Sequence, residues 1–465
     1  MRIPLRPLPD RPRPSLRRAL PAAALLLVAS GCADIQAARE AQDPKSAGPG
    51  ERTVTASEVG LGPGSTLTLE RGLRLSLEYN PSTALARRAV DAARARLTQA
   101  NAGSLPTLSA GASYTVSGGK DRTTDDSFSA GLSADLLLFD FGRLDALQRE
   151  SAEQLLAASL DLATAEIETA YAFEEAFFNV LKQIELVGIA EQNVRQFEKR
   201  LEQVRGFVEV GTRVKYDLTK AQVDLGNAQL GLVTARTALA VQQAVLGNVL
   251  GLAEIPAYAL EKPAAAEAGT PEAETLMAEA RRQHPRLLAR AARERAASHA
   301  VDAAVAALFP ELSVGGSLTA AGSLSPVDWF WSAGPALNWL LFSGWSRTGQ
   351  LQEAVAGLQS ARATRAQAEQ QVFLDIQQAI AAREDARQRL AILEMTVRQA
   401  EENLDLVSAR YRIGRASSVE LTDAQVSLAT TRGQQVQAVY NLRIAAAQLR
   451  RAAGAAPVPA KKTAP

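Results

Sequence analysis

The stretch GFVEVGTRVKYDLTKAQVDL is written a second time as RYRIGRASSVELTDAQVSL. Such a duplication limits the chain to folds built twice on one plan. Gly211 and Gly414 align at a spacing of 203 residues (414 − 211), and Leu218/Leu421, Thr219/Thr422, Ala221/Ala424, Gln222/Gln425, Val223/Val426 and Leu225/Leu428 match around them. The repeat extends further. NPSTALARRAVDAARARL from Asn80 parallels HPRLLARAARERAASHAV from His284, and LPTLSAGASYT from Leu105 parallels FPELSVGGSLT from Phe309. LLLFDFGR ending at Arg143 parallels WLLFSGWSR ending at Arg347. Each half therefore reads helix, strand, polar loop, strand, long helix, glycine turn, helix.

The long helices carry a sustained period of about 3.5 residues, the seam of a left-handed coiled coil. In the first half the seam runs Phe173, Ala176, Val180, Gln183, Val187, Ala190, Val194, Phe197, Leu201, Val204, Val208. In the second it runs Val372, Ile376, Ala379, Arg383, Ala386, Leu390, Leu393, Val397, Ala400, Leu404, Val407, Tyr411. No proline interrupts residues 142–253, so a helix from about 143 to 209 would be roughly 100 Å long at 1.5 Å per residue. That length implies a fibrous scaffold, a coiled-coil arm or a tube.

The strands alternate strictly. Leu108, Ala110, Ala112, Tyr114 and Val116 face one way; Ser109, Gly111, Ser113, Thr115 and Ser117 face the other. Phe128, Ala130, Leu132, Ala134 and Leu136 oppose Ser129, Gly131, Ser133 and Asp135, and Leu312, Val314 and Leu318 oppose Ser313, Gly315, Ser317 and Thr319. One apolar face and one small polar face over about 10 residues fits a transmembrane barrel strand. A soluble hairpin with its apolar face on a protein core fits the alternation equally well. Aromatic placement favours the barrel. All four tryptophans, Trp329, Trp331, Trp339 and Trp345, lie in one short stretch with Phe330 and Phe342, as an interfacial girdle requires. Pro335 in that strand calls for a bulge or a non-bonded position. Four strands cannot close a barrel, and an open edge is not tolerated in lipid. Membrane strands would therefore make the chain an obligate oligomer, of a number this argument leaves open.

Composition excludes other classes. The net charge of +1 points to no nucleic-acid partner. Two histidines, His284 and His299, and one cysteine offer no metal cluster, and no nucleophile–base set or phosphate loop is present, so neither catalysis nor a cofactor is expected. The histidines read as two surface residues. The cysteine is Cys32. Six arginines, then ALPAAALLLVAS, then Gly31-Cys32 give the order of a secretory signal. The apolar run is too short to span a bilayer. Ala29, Ser30 and Gly31 before Cys32 resemble a bacterial lipobox; an ordinary signal with an incidental cysteine is the other reading. Ala33 after it resembles an outer-membrane sorting pattern.

These features together resemble the TolC, or outer membrane factor, family over roughly Leu67 to Gly454. The resemblance implies a mixed fold, an all-α coiled coil plus a membrane β-barrel, as a homotrimer: three times four strands form the barrel, continued by an α-helical tunnel. It implies a lipid-anchored protein of the Gram-negative outer membrane reaching into the periplasm. Its partners would be outer-membrane lipid, a periplasmic adaptor (membrane fusion) protein and an inner-membrane pump of RND, ABC or MFS type. Its function would be that of a passive exit duct in tripartite efflux or type I secretion. The competing reading is a periplasmic coiled-coil structural or adaptor lipoprotein. By position, the resemblance makes Val210, Gly211, Ile413 and Gly414 adaptor-contacting tips. It makes Asp217 and Tyr411 a gate-restraining pair, and Glu420 and Asp423 acidic rings at a constriction, where crowding would raise their pKa values. The acids also fit ordinary first-turn charges favoured by the helix dipole. Where the family commonly has arginine two residues after the second glycine, this chain has Ala416, with Arg415 and Arg213 nearby.

The expected boundaries are a signal at 1–31, a lipidated, extended or disordered lead at 32–66, a first repeat at 67–252, a linker or equatorial segment at 253–271, a second repeat at 272–454 and a disordered tail at 455–465. Strands are expected at about 106–118, 127–139, 310–321 and 329–342, and helical hairpins at about 143–252 and 346–454.

Overall fold

The structure, a computed structural model, describes residues 35–36, 38–43, 47–62, 64–119, 122–212, 214–254, 259–263, 273–322 and 327–455. The signal, Cys32, Arg213 and the tail beyond Ala455 lie outside the described residues.

The two halves build matching elements. The first runs β1 (Thr66–Leu67), α1 (Leu69–Tyr79), α2 (Pro81–Ala102), β2 (Thr107–Gly119), β3 (Arg122–Phe139), α3 (Arg143–Glu209) and α4 (Lys215–Val249). The second runs β4 (Ala259–Leu260), α5 (Ala273–Gln283), α6 (Pro285–Ala306), β5 (Glu311–Gly322), β6 (Val327–Asn338), α7 (Ser346–Arg412) and α8 (Ser418–Ala452). Helices α3 and α7 are 67 residues each, roughly 100 Å. Each is followed back along its length by shorter helices: α2 and α4 pack on α3, and α6 and α8 pack on α7. Helix α3 also packs against α6 and α8, which joins the halves.

The seam residues explain this packing. Phe173, Ala176, Val180, Val194, Phe197 and Val204 are buried on α3, and Val372, Ile376, Ala379, Ala386, Val397 and Tyr411 on α7. A belt around the middle holds the larger core. Phe173 and Phe177 pack with Leu61, Leu67, Leu246 and Leu250, and the parallel pair β1–β4 lies beside them. Residues 47–62, expected as part of an extended or disordered lead, instead contribute to this belt: Val54, Ala56 and Leu61 are buried, and the Ala253 amide donates to the Val54 carbonyl at 2.9 Å. Three apolar side chains in a polar stretch are enough to anchor it.

His284 corrects a second expectation. It is buried, not superficial, and His299 is half-buried. His284 is the N-cap of α6, where its Nδ1 accepts from the Arg286 amide at 3.2 Å. Gly454 lies so close that a Cβ there would meet the imidazole ring at 2.8 Å. Burial holds the His284 pKa down to about 4.

The sheet is four-stranded and antiparallel, in the order β2-β3-β5-β6, with β2 and β6 as open edges. Pro335 faces Val314 with no register shift between β5 and β6, so no bulge forms. It sits on β6, an edge of the single chain's sheet. The apolar faces of the strands are uncovered: Leu108, Tyr114, Val116, Leu132, Leu318, Trp329, Trp331 and Leu337 are all exposed. Among the described residues, the strands' substantial contacts are with one another. The soluble-hairpin reading needed a core beneath that face, and the described residues supply none.

Candidate functional site

The duplicated stretches form the turns at one end of the bundle. At each turn a glycine takes a left-handed backbone, φ 78° at Gly211 and 74° at Gly414, a conformation that a side chain would strain. The bond pattern is also duplicated. The Thr212 amide donates to the Phe207 carbonyl at 2.9 Å, and the Arg415 amide to the Arg410 carbonyl at 2.8 Å. These are the six-to-one bonds of a Schellman stop. Val210 and Ile413, just before the glycines, are exposed, as are Val214 and Tyr216 after the first.

The hairpins start their return helices differently. Ser417 caps α8 in a reciprocal box: its Oγ accepts from the Glu420 amide and Glu420 Oε1 accepts from the Ser417 amide, both at 3.1 Å. The equivalent residue at α4 is Val214, which offers no side-chain cap. Glu420 also lies 3.7 Å from Arg410. The Ser417 amide, the Ser417 hydroxyl and Arg410 hold the Glu420 pKa below the usual carboxylate range. In the single chain this runs opposite to the rise expected from crowding. Asp423 is exposed on α8.

Above the turns, four helices meet around one side chain. Arg200 on α3 is 4% exposed. Its Nη2 donates to the Ser418 carbonyl at 2.6 Å, and its Nη1 to the Thr422 hydroxyl and, at 3.2 Å, to Gln425 Oε1. Thr422 Oγ1 lies 3.2 Å from Asp224 Oδ2 on α4, and the Ser418 hydroxyl donates to Asp217 Oδ1 at 3.1 Å. Burial lowers the Arg200 pKa, while Tyr411, Asp224 and Asp217 act against that shift. Tyr411 on α7 is buried with Ala416 and Leu421. Asp217 and Tyr411 thus share one cluster, whereas Glu420 and Asp423 stand outside it.

Sequence reasoning missed Arg200 and Asp224. A signal existed: Arg200 follows Phe197 by three and precedes Val204 by four, which is seam spacing, so Leu201 is the neighbour and Arg200 the buried position. At the sheet, Trp329 and Trp331 stand opposite Ala320 and Leu318 on the apolar face. Trp339 follows β6 and its Nε1 donates to the Leu308 carbonyl at 3.2 Å; Trp345 precedes α7. All four are exposed. Among the described residues no metal-binding cluster occurs, and no helix is long and apolar enough to cross a membrane.

Paired coiled-coil hairpins carrying a four-stranded sheet, apolar on its uncovered face and open at both edges, define a channel protomer with a barrel portion and a tunnel stem. The chain belongs to the outer membrane efflux protein family, whose profile matches residues 72–252 and 276–455. It is 24% identical to the outer membrane efflux protein BepC of Brucella suis, over 70% of this chain and 72% of that one. It is 24% identical to the cation efflux system protein CusC of Escherichia coli O157:H7, over 77% and 79%. The pyoverdine export outer membrane protein OpmQ of Pseudomonas aeruginosa is 28% identical over 67% and 66%. Solved structures share the fold. CusC superposes with a TM-score of 0.75 at 21% identity, covering 83% of this chain and 92% of that one. The Campylobacter jejuni channel CmeC superposes with a TM-score of 0.76 at 16% identity, covering 83% and 85%.

Proposed function

We propose that this chain is one of three identical subunits of an outer-membrane exit duct, without chemistry of its own. An inner-membrane pump of RND, ABC or MFS type would drive it through a periplasmic adaptor. The observation that carries the reading is the four-stranded sheet with open edges β2 and β6 and an apolar face that no described residue covers. In lipid such edges must be paired, and further copies of the chain supply the partners. Three copies follow from the family resemblance. Trp329, Trp331, Trp339 and Trp345 form the girdle, and Cys32 carries the lipid anchor.

The turns are the periplasmic tips. Val210 and Ile413 present exposed apolar side chains on Gly211 and Gly414, a surface suited to an adaptor. Asp217, Tyr411, Glu420 and Asp423 are the constriction residues. Repeated by three-fold symmetry, Glu420 and Asp423 place six carboxylates in a narrow ring, which attracts cations and repels anions.

Purified protein in planar lipid bilayers tests both levels. The wild type should form cation-preferring channels. Glu420→Ala with Asp423→Ala should weaken that preference or raise conductance, and unchanged selectivity would remove the ring assignment. A protein that stays water-soluble and monomeric once its lipid is removed would sink the duct reading. Cys32→Ser should leave pore formation intact and impair anchoring.

A further inference from the structure

The contact between α3 and α8 is studded with polar links along its length. Arg451 reaches Glu168 at 3.2 Å, Arg450 reaches Glu174 at 2.5 Å, and the Tyr440 hydroxyl donates to Glu185 at 2.8 Å. Arg200 is the link nearest the tips. It differs from the others in kind. The arginines of the upper links are themselves partly exposed, whereas Arg200 is buried among groups from all four hairpin helices. Among the described residues its Nε has no acceptor, and its hydrogen bonds run to α8.

The two repeats are unequal here. Thr422 and Gln425 have identical twins in Thr219 and Gln222, but the twin of Arg200 is Asn403, which is exposed on α7. The second repeat therefore has no cation at the equivalent position. The position after the second turn that lacks an arginine, Ala416, is filled by packing against Tyr411 and Leu421.

We propose that Arg200 is a positioning residue that latches the second hairpin, α7–α8, onto the first from the far side of the duplication, and that the tips part only when it releases Ser418, Thr422 and Gln425. The proposal rests on the reading of the turns as the narrow end of a duct. A buried guanidinium with fixed acceptors is suited to a two-state contact. Engaged, its Nη donors are satisfied, with the carboxylates of Asp217 and Asp224 nearby; half-released in a dry site, those donors lose their acceptors. Intermediate separations are disfavoured, and the tips are held shut until α8 leaves as a unit.

The test is single-channel recording of the full-length protein in planar bilayers, with heat-resistant trimer on gels as the assembly control. Arg200→Ala should raise conductance severalfold while the trimer persists, Arg200→Lys should restore much of the wild-type level, and Asn403→Ala should leave it unchanged. Wild-type conductance in an assembled Arg200→Ala trimer overturns the latch, and so does an equal rise in Asn403→Ala. Should Arg200→Ala fail to assemble, Thr422→Val with Gln425→Leu removes the acceptors instead. A severalfold rise supports the latch, and wild-type conductance overturns it. If neither variant assembles while Arg200→Lys does, Arg200 holds the fold and not the gate, and the proposal falls. A wild type that forms no channel sinks the duct reading itself, a distinct outcome.

Discussion

At the scale of single residues, His284 couples sequence, packing and pH. The dipeptides Asn80-Pro81 and His284-Pro285 start equivalent helices, and each first residue caps its helix through its side chain. That role was legible, because proline at the first helical position marks a helix start. Burial was not, because the ring's neighbours include residues remote in the chain, such as Gly454, 170 residues away (454 − 284) and close to the ring in space. The consequence is a pH dependence with a definite sign. The folded pKa, about 4, lies below the ordinary 6.5, so the unfolded chain binds the proton first as pH falls. The neutral imidazole's contribution is full above pH 6.5, declines as pH drops, and is gone near pH 4. The total is roughly 3 kcal/mol per chain. Denaturant unfolding from pH 7 to pH 4 should show this slope, and His284→Asn, which borrows the cap of the first repeat, should reduce it. An unchanged slope in the variant would assign the pH dependence to other groups.

At the scale of elements, the coiled-coil helices were readable because their period is long and uninterrupted and their stops are glycines. The polar hub above the turns was not. A seam argument asks which positions are apolar, so it passed over Arg200, whose burial depends on acceptors from a helix more than 200 residues later. Only tertiary contact makes a buried cation tolerable at a seam position. The unequal caps of the twin hairpins give a test at this level. Ser417→Ala removes one half of the box and should cost about 1 kcal/mol. Val214→Ser supplies the missing cap at α4, where Asp217 already stands at the box position, and should stabilise by up to about 1 kcal/mol. Thermal unfolding of the two variants should move in opposite directions. Hydrogen exchange should localise each change to the first turn of α8 or α4, and equal effects on both helices would mean that the tips unfold together.

At the scale of the whole molecule, alternation along the strands fixed which side chains share a face, but no single strand says what each face meets. That depends on the copies that close the sheet. Leu132 and Ser133 are adjacent on β3, opposite Leu318 and Ser317, and belong to opposite faces. Ser133 also stands opposite Ser109, and Ser317 opposite Ser332, so one row of four serines crosses the sheet. Hydroxyl pairs lie along it, at 2.6 Å between Ser109 and Ser133 and 2.9 Å between Ser317 and Ser332. In a closed barrel this row is a neutral band around the lumen, while the row through Leu132 and Trp331 meets lipid. Arginine placed at each position separates the environments. Leu132→Arg puts a charge on the lipid face, at about 2–4 kcal/mol per chain near the midplane, repeated in every subunit. It should abolish the heat-resistant trimer and the channel. Ser133→Arg puts the same charge one residue away in water, so assembly should survive and the channel should lose cation preference. The stem is common to both variants, so any difference between them belongs to the sheet. If both arginines block assembly equally, or neither does, the two faces do not divide lipid from lumen, and the barrel has to be closed in some other way.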